Sequence, residues 1–304
     1  MVLYAMDGQE SKAVDWALIS EAGFFNGTRV ITTMQSQGPW IVDFARHMAR
    51  LTAHAEAMNL SALPKIEHLK FEIESMIQKL KAPELCRIRV IIFKDKSGLQ
   101  HHMISVASEQ ALAIEQRQAQ GVKLSLVNDK AWPRGGLVKT GILGQRGLQL
   151  EQAKDSGFDD VLWANGDGEI AEATSSNVFL IGRTGDLVEI ATPPQSSGIL
   201  AGITRQRVME LLNSAKIPVT ERLISQDEIP GFDEGFLTSS VSGLIPVTQI
   251  GRHRLHSLRG QAVFHHVARL YKTWLSLGLA NEGVDVGGLG GQASSSKLHR
   301  DQLS

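Results

Sequence analysis

Residues 43–93 limit the fold of this chain most tightly. In DFARHMARLTAHAEAMN (43–59), Phe44, Met48, Leu51, Ala55 and Met58 recur at steps of three and four residues. That spacing places them on one face of a helix. Asp43 stands where a side chain could cap the first turn. A second amphipathic helix covers 66–80 and stops before Pro83. LCRIRVIIF (85–93) then reads as a strand, with Arg87 and Arg89 on one side.

The same alternation continues along the chain. Residues 13–34 read as short β-type runs broken by Gly23 and by Asn26-Gly27, and 102–108 and 121–127 as further strands. AWPRGG (131–136) is a break with a proline and paired glycines. It suggests a domain boundary, with one unit over 1–130 and another over 131–278. Beyond it, 143–156 predicts a helix ending at Gly157. Strand-like VLWAN (161–165) enters the turn GDG (166–168), and SNVFLIG (176–182) is strand-like again. ATPP (191–194) is a turn signal, 204–215 a helix, 234–241 a strand running into a loop, and 261–277 a last helix. After Gly278 the composition turns Gly/Ser-rich, which predicts a disordered tail over 279–304.

Composition removes several classes of function. The 304 residues carry a formal net charge of −1, so the chain lacks the basic footprint of a nucleic-acid or anionic-membrane partner. Its single cysteine, Cys86, permits no intrachain disulfide and no multi-cysteine zinc site, and its apolar segment makes it a buried filler. No run reaches the roughly 18–20 apolar residues that span a bilayer, and no signal-peptide pattern opens the chain. A cytoplasmic enzyme or binding protein is the expectation. The adjacent pairs His101-His102 and His265-His266 point apart on a strand, so no metal site is expected. GGLGG (287–291) lacks the strand and helix of a dinucleotide fingerprint. Arg252, His253 and Arg254 read as a solvated hairpin.

The densest chemical signal runs from Val138 to Arg205. A lysine in LVKTG has apolar neighbours Leu137, Val138 and Ile142. Such surroundings leave an amine neutral part of the time, as an aldehyde cofactor requires. Glu172 lies between Ile170 and a small-residue stretch, where a carboxylate could approach a flat pyridine ring and keep its nitrogen protonated. Gly202-Ile203-Thr204 opens the helix at 204–215. A helix N-terminus offers N–H donors and a positive field to a phosphate. Gly202 permits close backbone approach, and Thr204 could cap the helix or bond the phosphate.

Four pieces together, RHMARL (46–51), LVKTG (137–141), DGEIAEATSSNVF (167–179) and TPPQSSGILAGITR (192–205), resemble the class IV aminotransferases, the fold-type-IV pyridoxal-phosphate enzymes. The resemblance covers roughly residues 20–277. It implies an α/β fold of α+β two-domain type, a small N-terminal α/β domain plus a larger C-terminal domain, with pyridoxal 5'-phosphate between them. It implies that Lys139 is the Schiff-base lysine and shuttles the substrate proton, and that Glu172 faces the pyridine nitrogen. Arg50 matches the phosphate-binding arginine, and Ile203 and Thr204 match the phosphate-binding helix start. Ser240, with Ser239 beside it, falls where the family places a phosphate-binding hydroxyl. It further implies a homodimer.

This chain departs from the family in places. Where relatives often carry an aromatic motif with Phe, Glu and Arg, it reads VITTM (30–34), and TGILGQR after the lysine lacks the usual Asn-Tyr. The loop VSGLIPV (241–247) looks closer to the lyase members. The expected activity is transfer of an amino group between a small, branched-chain-like amino acid and a 2-oxo acid. The alternatives are 4-amino-4-deoxychorismate lyase, giving p-aminobenzoate and pyruvate, and a non-catalytic relative.

Overall fold

A computed structural model describes residues 2–11, 28–61, 63–80, 84–95, 97–133, 138–140, 145–185 and 187–280. The strand runs expected within 13–27, the last three residues of AWPRGG (134–136), residues 141–144 and the tail from 281 lie outside the described residues.

Two sheets organise the chain. The smaller contains β1 (Val2–Met6), β2 (Gln9–Ser11), β3 (Arg29–Gln37), β4 (Trp40–Ile41), β5 (Leu85–Lys94) and β6 (Gln100–Ser108), in the order β2-β1-β6-β5-β3-β4. Its neighbours pair antiparallel, with Thr33 opposite Arg89 and Arg89 opposite Ser105. Helices α1 (Phe44–Ala57) and α2 (Ile66–Lys79) cover one face. Met48, Leu51 and Ala55 of α1 and Ile73 and Met76 of α2 meet Val30, Met34, Ile88, Val90 and Ile92 in one core. Arg87 and Arg89 alternate with those core residues and so lie on the opposite face. Cys86 is fully buried, as expected, and burial raises its thiol pKa.

Helix α3 (Ala111–Gln120) connects to the larger sheet. This sheet contains β7 (Val122–Asn128), β8 (Asp160–Ala164), β9 (Ile170–Ala173), β10 (Asn177–Thr184), β11 (Leu187–Thr192), β12 (Thr220–Glu221), β13 (Phe232–Ser239), β14 (Gly243–Ile250) and β15 (His253–Arg254). Its order is β12-β11-β10-β13-β14-β7-β8-β9, with β15 on β14. Helix α4 (Gln145–Asp155) precedes β8. Helices α5 (Ile203–Ser214) and α6 (Val263–Ala280) pack Val208, Leu212, Phe264, Val267 and Tyr271 on Phe179, Ile181 and Phe236.

Several expectations need correction. Asp43 sits at the helix start in a left-handed conformation (φ 51°, ψ 34°) and makes no side-chain cap. Its carboxylate instead takes hydrogen bonds from Arg207 of α5. Arg46 reaches Glu210 at 2.7 Å, so α1, packed on the smaller sheet, is bonded to a helix of the larger layer. Gly278 does not end the last helix. It lies inside α6, where a Cβ would sit 2.2 Å from the Trp40 ring, so glycine permits a close approach there. His265 and His266 lie in α6 rather than on a strand. His101 and His102 do sit on β6, but Asp7 at the β1–β2 turn reaches both, at 2.8 and 3.2 Å. No group among the described residues has metal-binding geometry, and no described helix is long and apolar enough to cross a membrane.

Candidate active site

The site lies where the edge of β3 meets the ends of β9 and β10 and the start of α5. Residues 138–140 run beside β3, and the N–H of Ile31 donates to the carbonyl of Lys139 at 2.8 Å. Arg29 Nε donates to the carbonyl of Thr140 at 2.8 Å. On the other side, the N–H of Lys139 donates to His54 Nδ1 at 3.2 Å. Lys139 is thereby tied by its main chain to β3 and α1, while no hydrogen bond among the described residues holds its amine. Burial, followed by the charge of Arg50, pushes the Lys139 amine down to about 8.

Arg50 and His54 stand one turn apart on α1, and neighbours four apart share a helix face. Arg50 Nη1 donates to the carbonyl of Ala201 at 3.0 Å, and Nη2 lies 3.4 Å from Thr32 Oγ1. Its Nε is buried without a hydrogen-bond partner among the described residues. Burial lowers Arg50 to about 10, against the raising effect of Glu172. His47 is buried, with Nδ1 2.8 Å from Thr32 Oγ1. Burial holds His47 well below the usual histidine range and His54 at about 4, so both rings are neutral.

Glu172 projects from β9 into a bonded corner. Its Oε2 accepts from the Leu200 N–H at 3.0 Å and from Asn177 Nδ2 at 2.9 Å. Burial raises its carboxyl to about 7, opposed by the Leu200 hydrogen bond and by the charges of Arg146, Lys139 and Arg50. The Arg146 guanidinium carbon lies over the Trp132 ring, 3.9 Å from its centroid.

Gly202 is the N-cap of α5 and supplies no side-chain bond. It is glycine because a Cβ would lie 1.8 Å from Asn177 Oδ1. The close approach foreseen at Gly202 is thus made by a side chain of this chain. Ile203 and Thr204 form the first turn, both buried. Thr204 does not cap the helix; its hydroxyl bonds the buried Tyr271 phenol. The first-turn N–H groups of α5 remain available to an anion, beside the orphaned Arg50 Nε. Ser239 ends β13, and its Oγ accepts from the Ser242 N–H at 3.3 Å. Asn177 pairs with Thr238 across β10 and β13, which brings Ser239 and Ser240 to the same end of the sheet as Glu172 and Gly202. The Thr238 hydroxyl there is buried without a partner among the described residues.

The structure therefore brings Lys139, Glu172, Arg50 and the Gly202-Ile203-Thr204 helix start together, and places Ser239 and Ser240 at the same end of the larger sheet. It adds His47, His54, Asn177 and Thr238, which the sequence reading did not single out. For Asn177 a signal existed, since a polar amide opens the apolar strand NVFLI.

A half-buried lysine, a carboxylate with a raised pKa and a guanidinium whose Nε lacks a partner among the described residues, beside a helix N-terminus, suit a phosphorylated, aldehyde-type cofactor and amino-group chemistry. The comparisons with known proteins name the family. Residues 29–250 match the model of amino-transferase class IV. A probable branched-chain-amino-acid aminotransferase of Thermotoga maritima is 31% identical over 212 residues, covering 68% of this chain and 72% of that protein. The D-alanine aminotransferase of Bacillus licheniformis is 24% identical over 239 residues, covering 76% and 82%. In fold, the chain is similar to the Escherichia coli branched-chain amino acid aminotransferase (TM-score 0.78, 20% identity, covering 94% and 97%). It is also similar to a PLP-bound hypothetical aminotransferase of Mycobacterium tuberculosis (TM-score 0.77, 20% identity, covering 90% and 98%). The chain belongs to the class IV aminotransferase family, and its fold is the mixed α/β fold-type-IV architecture that the sequence motifs implied.

Proposed function

We propose that this chain is a pyridoxal-phosphate-dependent aminotransferase that moves an amino group between a small, branched-chain-like amino acid and a 2-oxo acid. The observation that carries the reading is the convergence of Lys139, Glu172 and Arg50, each with its pKa displaced by burial, on one corner. The residues present fit the cofactor. The buried Arg50 Nε and the uncapped start of α5 suit its phosphate, with Ser239 and Ser240 alongside. Glu172 suits the ring nitrogen, and Lys139 suits the aldehyde carbon. When bound, the cofactor supplies an electron sink for the carbanion that forms at the amino-bearing carbon.

The chain's own residues do the rest. With a pKa of about 8, the Lys139 amine is neutral in part near pH 7–8, and it takes the proton from the substrate α-carbon. Arg50 and the α5 N-terminus keep the phosphate end fixed while that proton moves. Arg89, on the face of β5 away from the small core, adds positive charge near Lys139 and suits a substrate carboxylate. The named relatives are transaminases, which favours amino transfer over pyruvate elimination. We further propose a cytoplasmic homodimer with one domain around each sheet and the cofactor between them.

The test is an absorbance spectrum of the purified protein, borohydride reduction with peptide mapping, and an amino-transfer assay with branched-chain amino acids and 2-oxoglutarate. A yellow protein, an adduct on Lys139 and keto-acid formation are the expected results. A protein that takes up no added pyridoxal phosphate would overturn the reading.

A further inference from the structure

One buried amide joins the two ends of the candidate cofactor site. Asn177 opens β10 and is 4% exposed. Its Nδ2 donates to Glu172 Oε2 at 2.9 Å and to the Leu200 carbonyl at 3.0 Å. The Leu200 N–H donates to the same Glu172 oxygen at 3.0 Å. Carboxylate, side-chain amide and peptide thus close a ring of three hydrogen bonds. Both bonds to Glu172 fall on Oε2, which fixes the direction in which Oε1 points. The other end of the amide, Oδ1, fills the space a Cβ at residue 202 would need, and Gly202 is the N-cap of α5. Asn177 therefore touches the carboxylate at one end and the phosphate-side helix at the other.

We propose that Asn177 is the positioning residue that fixes Glu172 against the cofactor's pyridine nitrogen and sets the protonation of that nitrogen. The inference rests on the reading of the site given above. A buried carboxylate stays charged only if donors replace the lost water. Among the described residues Glu172 has two, and burial already raises it to about 7. Removing the Asn177 donor leaves half of that support, so the proton binds Glu172 more tightly and its hold on a protonated pyridine weakens. The same amide spaces Glu172 from Gly202, so ring and phosphate are registered by one side chain.

The test uses the holoenzyme loaded with pyridoxal phosphate carrying 15N in the ring. The nitrogen resonance is followed against pH in the wild type, Glu172→Gln, Asn177→Ala and Asn177→Asp. Wild type should show a protonated nitrogen at neutral pH, and Glu172→Gln a neutral one. Asn177→Ala should move toward the Glu172→Gln position. The acid limb of its kcat profile should rise by about one pH unit or more, and kcat should fall about tenfold or more. Asn177→Asp keeps the shape of the amide but loses a fixed donor; it should fold where the alanine variant does not and show the same displacement. A nitrogen resonance and pH profile identical to wild type in whichever Asn177 variant holds cofactor would overturn the proposal, even if thermal stability dropped. A wild-type protein that takes up no cofactor, or a Glu172→Gln resonance that does not move, would instead sink the reading beneath it.

Discussion

The two walls of the site are built by different means. On the larger-sheet side, side chains are locked to one another. Glu172, Asn177 and Leu200 close a ring, and Arg205 is 2% exposed. It bonds Thr192 Oγ1 at 3.2 Å, the Pro193 carbonyl at 2.9 Å and Glu221 at 2.8 Å, anchoring the start of α5. On the smaller-sheet side, Lys139 is held by its main chain to Ile31 and His54, and its amine is left unclamped among the described residues. Fixed dipoles belong where charge must be stabilised without rearrangement. A group that must alternate between a cofactor carbon and a substrate proton needs freedom in its side chain. Under the proposed function, the larger sheet would stabilise charge and the smaller would carry the residue that moves the proton.

Substitutions can break that contrast at either wall. Lys139→Ala removes the moving group and should give the largest loss, on the order of 10³-fold or more in turnover, with no borohydride adduct at this position. Retained turnover would show that the mobile lysine of the smaller-sheet wall plays no part. Arg50→Ala should act next, and differently. Deleting a guanidinium that serves an anion costs about 1.5–3 kcal/mol, or roughly 10–100-fold in the cofactor dissociation constant. Turnover at saturating cofactor should change far less. A fall in saturated kcat with an unchanged dissociation constant would move Arg50 from holding to chemistry. That would blur the division between the walls.

The contrast also explains what the sequence disclosed. Lys139, Glu172 and Arg50, the residues proposed for the site, stood out in the sequence because motif order and separation mark them. His47 and His54 did not, because neither carries a signature at its own spacing, and Asn177 offered only the weak signal of a polar amide opening an apolar strand. Helices α1 and α2 were legible from an apolar face at steps of three and four. Helix α3 buries no residue at all and offered no such period. Strand β14 holds Pro246 opposite Phe236 in the middle of a sheet, and a proline argues against an interior strand. Gly278 read as a helix stop because close packing of a glycine on Trp40 looks, in one dimension, like a terminus.

The smallest effect expected concerns the neutral histidine that props Lys139. Burial, then the charges of Arg50 and Lys139, hold His54 at about 4, whereas an unfolded histidine titrates near 6.5. Between those values the unfolded chain binds a proton that the folded site refuses. Stability contributed by the neutral ring is complete above the upper value and is lost as pH falls through the window toward the lower one. For one half-buried ring the total is on the order of 1–3 kcal/mol. His54→Asn places an amide oxygen where Nδ1 stood, so it can still accept from the Lys139 N–H, and it does not titrate. Urea unfolding at about pH 7 and about pH 5 should show a smaller acid loss in this variant than in wild type, with the cofactor affinity little changed. His47, also held well below the usual histidine range by burial, keeps part of the slope in both proteins. An equal slope would mean that His54 already accepts a proton in the folded state. The main-chain hold on Lys139 would then have to come from Ile31 alone.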